Sequence, residues 1–171
     1  MRSPDCLVVG SVRRGKPDVG DLELTAPLPA DGAKDELYAR IRDSFDASPM
    51  FGEAAFDGRV IKGLKKGFKY CELVVRLHRR STAESREIPV QIARYTPANR
   101  GWIELMRTGP SEFGIIFLQQ WKKAHGIAPE KEASSGGHLV DSYGRVVEVP
   151  TEAAAFERCG IPFIPPGHRQ T

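Results

Sequence analysis

Near the start of the chain, Gly10-Ser11-Val12-Arg13-Arg14-Gly15 is followed by Gly20-Asp21-Leu22-Glu23, and this order constrains the fold more than any other feature. The apolar run from Cys6 to Gly10 predicts a short buried strand that ends in glycine. Asp21 to Ala26 alternates Leu22, Leu24 and Ala26 with Asp21, Glu23 and Thr25, which predicts a second strand ended by Pro27 and Pro29. On a strand, residues two apart share a face, so the Asp21 and Glu23 carboxylates point the same way. They repel each other unless a cation lies between them, and Mg²⁺ accepts few protein carboxylates and fills its shell with water and phosphate oxygens. A turn beginning Gly10-Ser11 lets main-chain N–H groups approach an anion, and Ser11 adds a hydroxyl donor. Arg13 and Arg14 add guanidinium forks that suit phosphate. Taken singly, a serine–arginine turn is usually a solvated loop and an acid pair an exposed strand face. In strand–turn–strand order they read as a site for a metal and nucleotide phosphates.

The 171 residues suffice for one compact domain or two small lobes. A helix is expected over 31–47, with Leu37, Ile41 and Phe45 at four-residue spacing. Lys69 to Leu77 and Ile88 to Tyr95 read as a hairpin across the polar 79–86 stretch, and Trp102 to Met106 as one more short strand. Past Thr108-Gly109-Pro110, Phe113, Ile116, Phe117 and Trp121 mark a helix to about Ala124. The polar loop 130–137 then leads to a second hairpin, His138 to Asp141 and Arg145 to Val149, around Ser142-Tyr143-Gly144. Thr151 caps a helix to about Arg158, and the proline-rich tail from Ile161 to Pro166 is expected to be extended. The fold class is therefore α+β: a mixed sheet with flanking helices, followed by a smaller α+β lobe.

Composition removes several alternatives. No apolar stretch approaches the roughly 18 residues of a membrane span, and Met1 to Asp5 lacks the apolar core of a signal peptide, so a cytoplasmic protein with no membrane partner is expected. The net charge of +3 permits a phosphate-bearing partner without demanding one. Cys6, Cys71 and Cys159 form no Cys-x-x-Cys pair and read as reduced, partly buried thiols. His78, His125, His138 and His168 form no spaced ligand set, and Trp102 and Trp121 read as core.

The motif from Gly10 to Glu23 resembles the palm signature of family X DNA polymerases, the DNA polymerase beta group. Downstream, Arg107-Thr108-Gly109-Pro110 resembles the Thr-Gly motif at the start of that family's thumb. Val146 to Glu152 and Ala155 to Pro166 resemble its C-terminal lobe, so the resemblance covers nearly the whole chain, and it is strongest to small phage and prophage members. It implies a nucleotidyltransferase palm over 1–106 and a thumb-like lobe over 107–171. It also implies a monomeric, Mg²⁺-dependent enzyme (Mn²⁺ serving in its place) that adds a nucleotide from a nucleoside triphosphate to the 3′-hydroxyl of gapped or primer-template DNA, as in DNA repair. Gly10, Ser11, Arg14 and Gly20 would then meet the phosphates, with Arg14 rather than Arg13 facing them. Arg107, Thr108 and Gly109 would border the nucleotide, and Asp21 and Glu23 would bind both metals.

The chain departs from the family at its third carboxylate, whose position falls on Gln91. A glutamine oxygen ligates a metal weakly and cannot accept the primer hydroxyl's proton. General-base assistance is typically worth about 10²–10⁴-fold, so weakened catalysis, or a degenerate protein that binds nucleotide or DNA without transfer, is the alternative. If the two β-runs pair antiparallel, Glu72 falls opposite Gln91 and shares its face; a one-residue slip turns it away, and plain solvent exposure is the simpler expectation. The family's paired sugar-screening aromatics correspond here to Met106 and Arg107, so sugar preference does not carry over. Arg107 would reach a phosphate or template, or else form a structural ion pair. Candidate DNA contacts are Arg59, Lys62, Lys65, Lys66, Lys122, Lys123 and Arg169, each equally readable as a solvated face.

Overall fold

The computed structural model describes residues 6–29, 37, 56–66, 69–79 and 84–169. Five strands form one sheet: β1 (Leu7–Val8), β2 (Leu22–Pro27), β3 (Phe56–Lys66), β4 (Tyr70–Arg79) and β5 (Ser85–Tyr95), in the order β1-β2-β5-β4-β3. β2 runs parallel to β5 and the other pairs are antiparallel, so the sheet is mixed. Period-two alternation sets its two faces. On β4, Cys71, Leu73 and Val75 are buried, while Tyr70, Glu72 and Val74 are partly exposed. The buried set joins Ala26, Val90 and Ile92 in one core, with Leu22, Leu24, Leu37 and Leu77 packed against it. The helix expected over 31–47 lies outside the described residues except at Leu37, which is helical.

A second core lies among α2 (Arg100–Thr108), α3 (Ser111–Ala124) and α4 (Glu152–Arg158). It is built on Trp102, Leu105, Phe117, Trp121 and Phe156, and the Trp121 indole N–H donates to the Val140 carbonyl at 2.8 Å. Both tryptophans are core, as expected. The strand expected over Trp102 to Met106 is instead the middle of α2. Its aromatic and β-branched residues suggested a strand, but Gly101, Trp102, Leu105 and Thr108 are buried at helical spacing, and an Arg100–Glu104 ion pair at 2.7 Å supports one turn of it. Gly101 permits the packing: a Cβ there would lie 2.0 Å from the Thr151 carbonyl oxygen at the start of α4.

Three smaller expectations are also corrected. The second hairpin turns at Gly136-Gly137, both at positive φ, and pairs β6 (Ser134–Ser135) with β7 (His138–Leu139). The segment expected to be the hairpin keeps a single bridge, Val140 to Val146. There Asp141 Oδ1 accepts from the Tyr143 and Arg145 amides at the tip, and the expected arms do pair: the Asp141 amide donates to the Arg145 carbonyl and the Val147 amide to the Leu139 carbonyl, each at 2.9 Å. The tail is not wholly extended, because Pro166–His168 forms a 3₁₀ turn that proline tolerates at its start. Cys6 is exposed, whereas Cys71 and Cys159 are buried, and all three are free thiols.

One ion network ties the two cores together. Arg13, at the end of the helical turn α1 (Gly10–Arg13), donates to Thr108 Oγ1 at 2.8 Å and to Glu152 Oε2 at 2.6 Å. Glu152 Oε1 accepts from Arg169 at 2.8 Å. Arg169 is a correction to the list of DNA contacts: it is 3% exposed, donates also to the Ile164 carbonyl, and lies against the rings of Phe113, Phe156 and Phe163. Its place near the C-terminus among charged and polar residues suggested a free cation, but the carboxylate of Glu152 and three aromatic faces draw it inside. Glu152→Ala would leave that guanidinium buried without its counter-charge, so a loss of about 3–5 kcal/mol is expected in urea unfolding; a loss below 1 kcal/mol would contradict this placement.

Candidate functional site

The parallel pairing of β2 with β5 sets Glu23 opposite Gln91, and the antiparallel pairing of β5 with β4 sets Gln91 opposite Glu72. Directly opposed residues share a face, so Glu23, Gln91 and Glu72 form one row on the side of the sheet away from its core. The adjacent row is Thr25, Ala93 and Tyr70. Asp21, just before β2, joins the first row through a hydrogen bond from Gln91 Nε2 to its Oδ2 at 3.2 Å. All four polar residues are partly exposed.

The N-terminal turn closes onto this row. The Val9 amide donates to the Glu23 carbonyl at 2.9 Å, and Gly10 follows at φ +69°. The positive φ of Gly10 calls for glycine, and the Glu23 carboxylate lies close against it: a Cβ there would lie 2.0 Å from Glu23 Oε2. Val9 and Gly10 are buried, while Ser11 and Arg14 stay partly exposed at the rim. Arg14 donates to the Thr108 carbonyl, and its charge also acts on Glu23. Arg13 is committed to Thr108 and Glu152, while Arg14 is held by the Thr108 carbonyl. Thr108 is fully buried and serves as acceptor for both arginines. It fastens the turn from below, while Gly109 ends α2 with its amide on the Leu105 carbonyl. Gly20 is exposed at the bend before Asp21.

Arg107 reaches the site from α2. Its guanidinium lies 5.2 Å from the centre of the Tyr70 ring, and it acts on the Glu23 carboxylate as well. Tyr70 is the residue that sequence reading missed. The alternation of β4 carries the signal, since Tyr70 and Glu72 sit two apart on the face opposite Cys71 and Leu73. Of the remaining basic candidates, Arg59, Lys62, Lys65 and Lys66 fall on the edge strand β3, and their side chains lie outside what is described. Lys122 donates to the Pro129 carbonyl and Lys123 is exposed.

The electrostatics are those of crowded carboxylates. Burial, then the charge of Asp21, holds the Glu23 carboxyl above the usual glutamate range, with Arg107 and Arg14 opposing. Burial and then Glu72 push the Tyr70 phenol up; Arg107 opposes this, and Glu23 and Asp21 add to it. Among the described residues no three His, Cys, Asp or Glu side chains are drawn together as a ligand set; Asp21 and Glu23 stand as a pair. That pair of hard oxygen donors fits Mg²⁺, which takes one or two carboxylates and completes its shell from water and substrate.

Comparison with models of known protein families and with curated proteins finds no match to this chain. Among the described residues, no helix is long and apolar enough to cross a membrane.

The raised Glu23 carboxyl has a testable sign. A folded-state pKa above the unfolded value favours the folded protein at low pH, and this contribution disappears as pH rises through the raised value. In metal-free buffer at neutral pH, Glu23→Gln should therefore melt at a higher temperature than the parent. The gap should close as the pH falls through the ordinary glutamate range. A parent protein that melts higher at neutral pH would contradict the raised Glu23 carboxyl.

Proposed function

We propose that this chain is a nucleotidyltransferase of the DNA polymerase beta type, joining a nucleotide from a Mg²⁺-bound nucleoside triphosphate to a DNA 3′-hydroxyl. The observation that carries the reading is the seating of Gly10 against the Glu23 carboxylate, which makes the phosphate-type turn and the acid pair one continuous surface. Asp21 and Glu23 would hold the metal. When bound, Mg²⁺ would neutralise charge on the attacking and leaving oxygens. Ser11, Arg14 and the amides of the turn would hold the β- and γ-phosphates, with Arg14 fixed in place by the Thr108 carbonyl. Arg107, over Tyr70, would lie beside the nucleotide. The partial exposure of the row supports a macromolecular acceptor over an enclosed small molecule.

Gln91 favours a second reading. At the third carboxylate position it donates an amide N–H to Asp21, and an amide cannot take the acceptor's proton. A protein of this fold that binds Mg²⁺-nucleotide or DNA without transfer is consistent with that feature. The two readings separate in one assay of the purified protein with Mg²⁺, each nucleoside triphosphate and gapped DNA. Extension of the primer end, with loss of at least about 10²-fold on Asp21→Ala, is the expected result. Nucleotide binding that depends on Asp21, without extension, would select the second reading. No binding, and no effect of Asp21→Ala, would overturn both.

A further inference from the structure

A cavity of about 250 Å³ lies where the sheet meets α2 and the Gly136-Gly137 turn. Leu28, Ala93 and Ile103 give it apolar lining, and Lys69, Arg107 and His138 bring N–H donors to it. No described residue that lines it is acidic. Its two exposed cations rest on neutral groups. Lys69 Nζ donates to the Gly136 carbonyl at 2.8 Å and keeps two further N–H donors. The Arg107 guanidinium lies against the Tyr70 ring, and its charge also acts on Glu23. The Nδ1 atom of His138 is buried without a hydrogen-bond partner, and a buried polar atom left unpaired calls for a group that reaches it.

We propose that this cavity binds a small phosphate anion, at a site separate from the Gly10–Arg14 turn, whose residues do not line it. A cleft lined by one sign of charge and by low-dielectric walls concentrates counter-ions. Ammonium and guanidinium N–H groups suit phosphate oxygens, and His138 Nδ1 can donate to the anion or accept from its O–H. The volume is that of roughly eight waters at about 30 Å³ each. It lies below the roughly 300–1,000 Å³ typical of sites for larger ligands. Phosphate and pyrophosphate are of the right size, and a whole nucleoside triphosphate is too large. The site does not depend on the nucleotidyltransferase reading, because neither Asp21 nor Glu23 lines the cavity. The rival account is structural: Lys69 fastens the Gly136-Gly137 turn to the sheet, and the cavity holds only water.

The test follows the backbone amides of the full-length protein by ¹H–¹⁵N NMR in buffer free of divalent cations. Inorganic phosphate or pyrophosphate is added at constant ionic strength. The Gly136, Gly137 and His138 amides are expected to shift and to saturate, and the anion that saturates them at the lower concentration is the preferred ligand. Lys69→Gln should weaken this binding at least about tenfold, the scale of one charged hydrogen bond, and Lys69→Arg should retain it. His138→Gln should weaken it as well, and it leaves the Lys69 bond in place should Lys69→Gln disturb the fold. Saturable shifts that survive Lys69→Gln and His138→Gln unchanged would overturn the proposal. So would shifts confined to the Gly10–Arg14 turn, or none at the three amides. Saturation of the three amides in a protein that binds no nucleotide would uphold this site and remove only the nucleotidyltransferase reading.

Discussion

The parallel pairing of β2 with β5 is the constraint on which the rest of the structure depends. It fixes Glu23 beside Gln91 and, through β5, aligns Glu72 with both. A slip of one residue would send these side chains into the core and bring Val90, Ile92 and Leu73 to the surface. Burial of the apolar face therefore enforces the register, and the register composes the polar face. Burial, and then the charge of Asp21, hold the Glu23 carboxyl above its usual range, on a sheet whose other face is packed. This is the usual relation between a stable scaffold and a destabilised site.

The second requirement is that the turn from Gly10 to Arg14 keep its place against β2. Gly10 supplies the conformation and the clearance, but the turn is held from the other side of the molecule. Thr108 at the end of α2 accepts from both arginines, and Glu152 at the start of α4 accepts from Arg13 while neutralising the buried Arg169. The two cores thus communicate through a few charged hydrogen bonds at the edge of the candidate site. In that geometry Arg13 is held by Thr108 and Glu152, and Arg14 by the Thr108 carbonyl.

Much of this was legible in the sequence wherever a local rule decided the outcome. The alternation of β2 and β4 gave strands and faces, Thr151 gave a helix start that its hydroxyl confirms by accepting the Ala154 amide, and the spacing of Phe113, Phe117 and Trp121 gave α3. The errors arose where tertiary packing overrode local preference. Trp102, Ile103 and Leu105 have the composition of a strand, yet the second core selects their helical spacing. Arg169 has the look of a surface cation until Glu152, distant in sequence, arrives beside it. Tyr70 carries no motif, and only the approach of Arg107 from another element makes it part of the site.

On the proposed function, the turn and the carboxylate pair would hold the two ends of one metal-bound triphosphate. The most direct measurement is a crystal structure with Mn²⁺ and a non-hydrolysable nucleoside triphosphate, with the metal located by its anomalous scattering. The expected result is a metal bound by Asp21 and Glu23, with the β- and γ-phosphates on Ser11, Arg14 and the amides of the turn. A metal elsewhere, or a triphosphate that leaves that turn untouched, would contradict it.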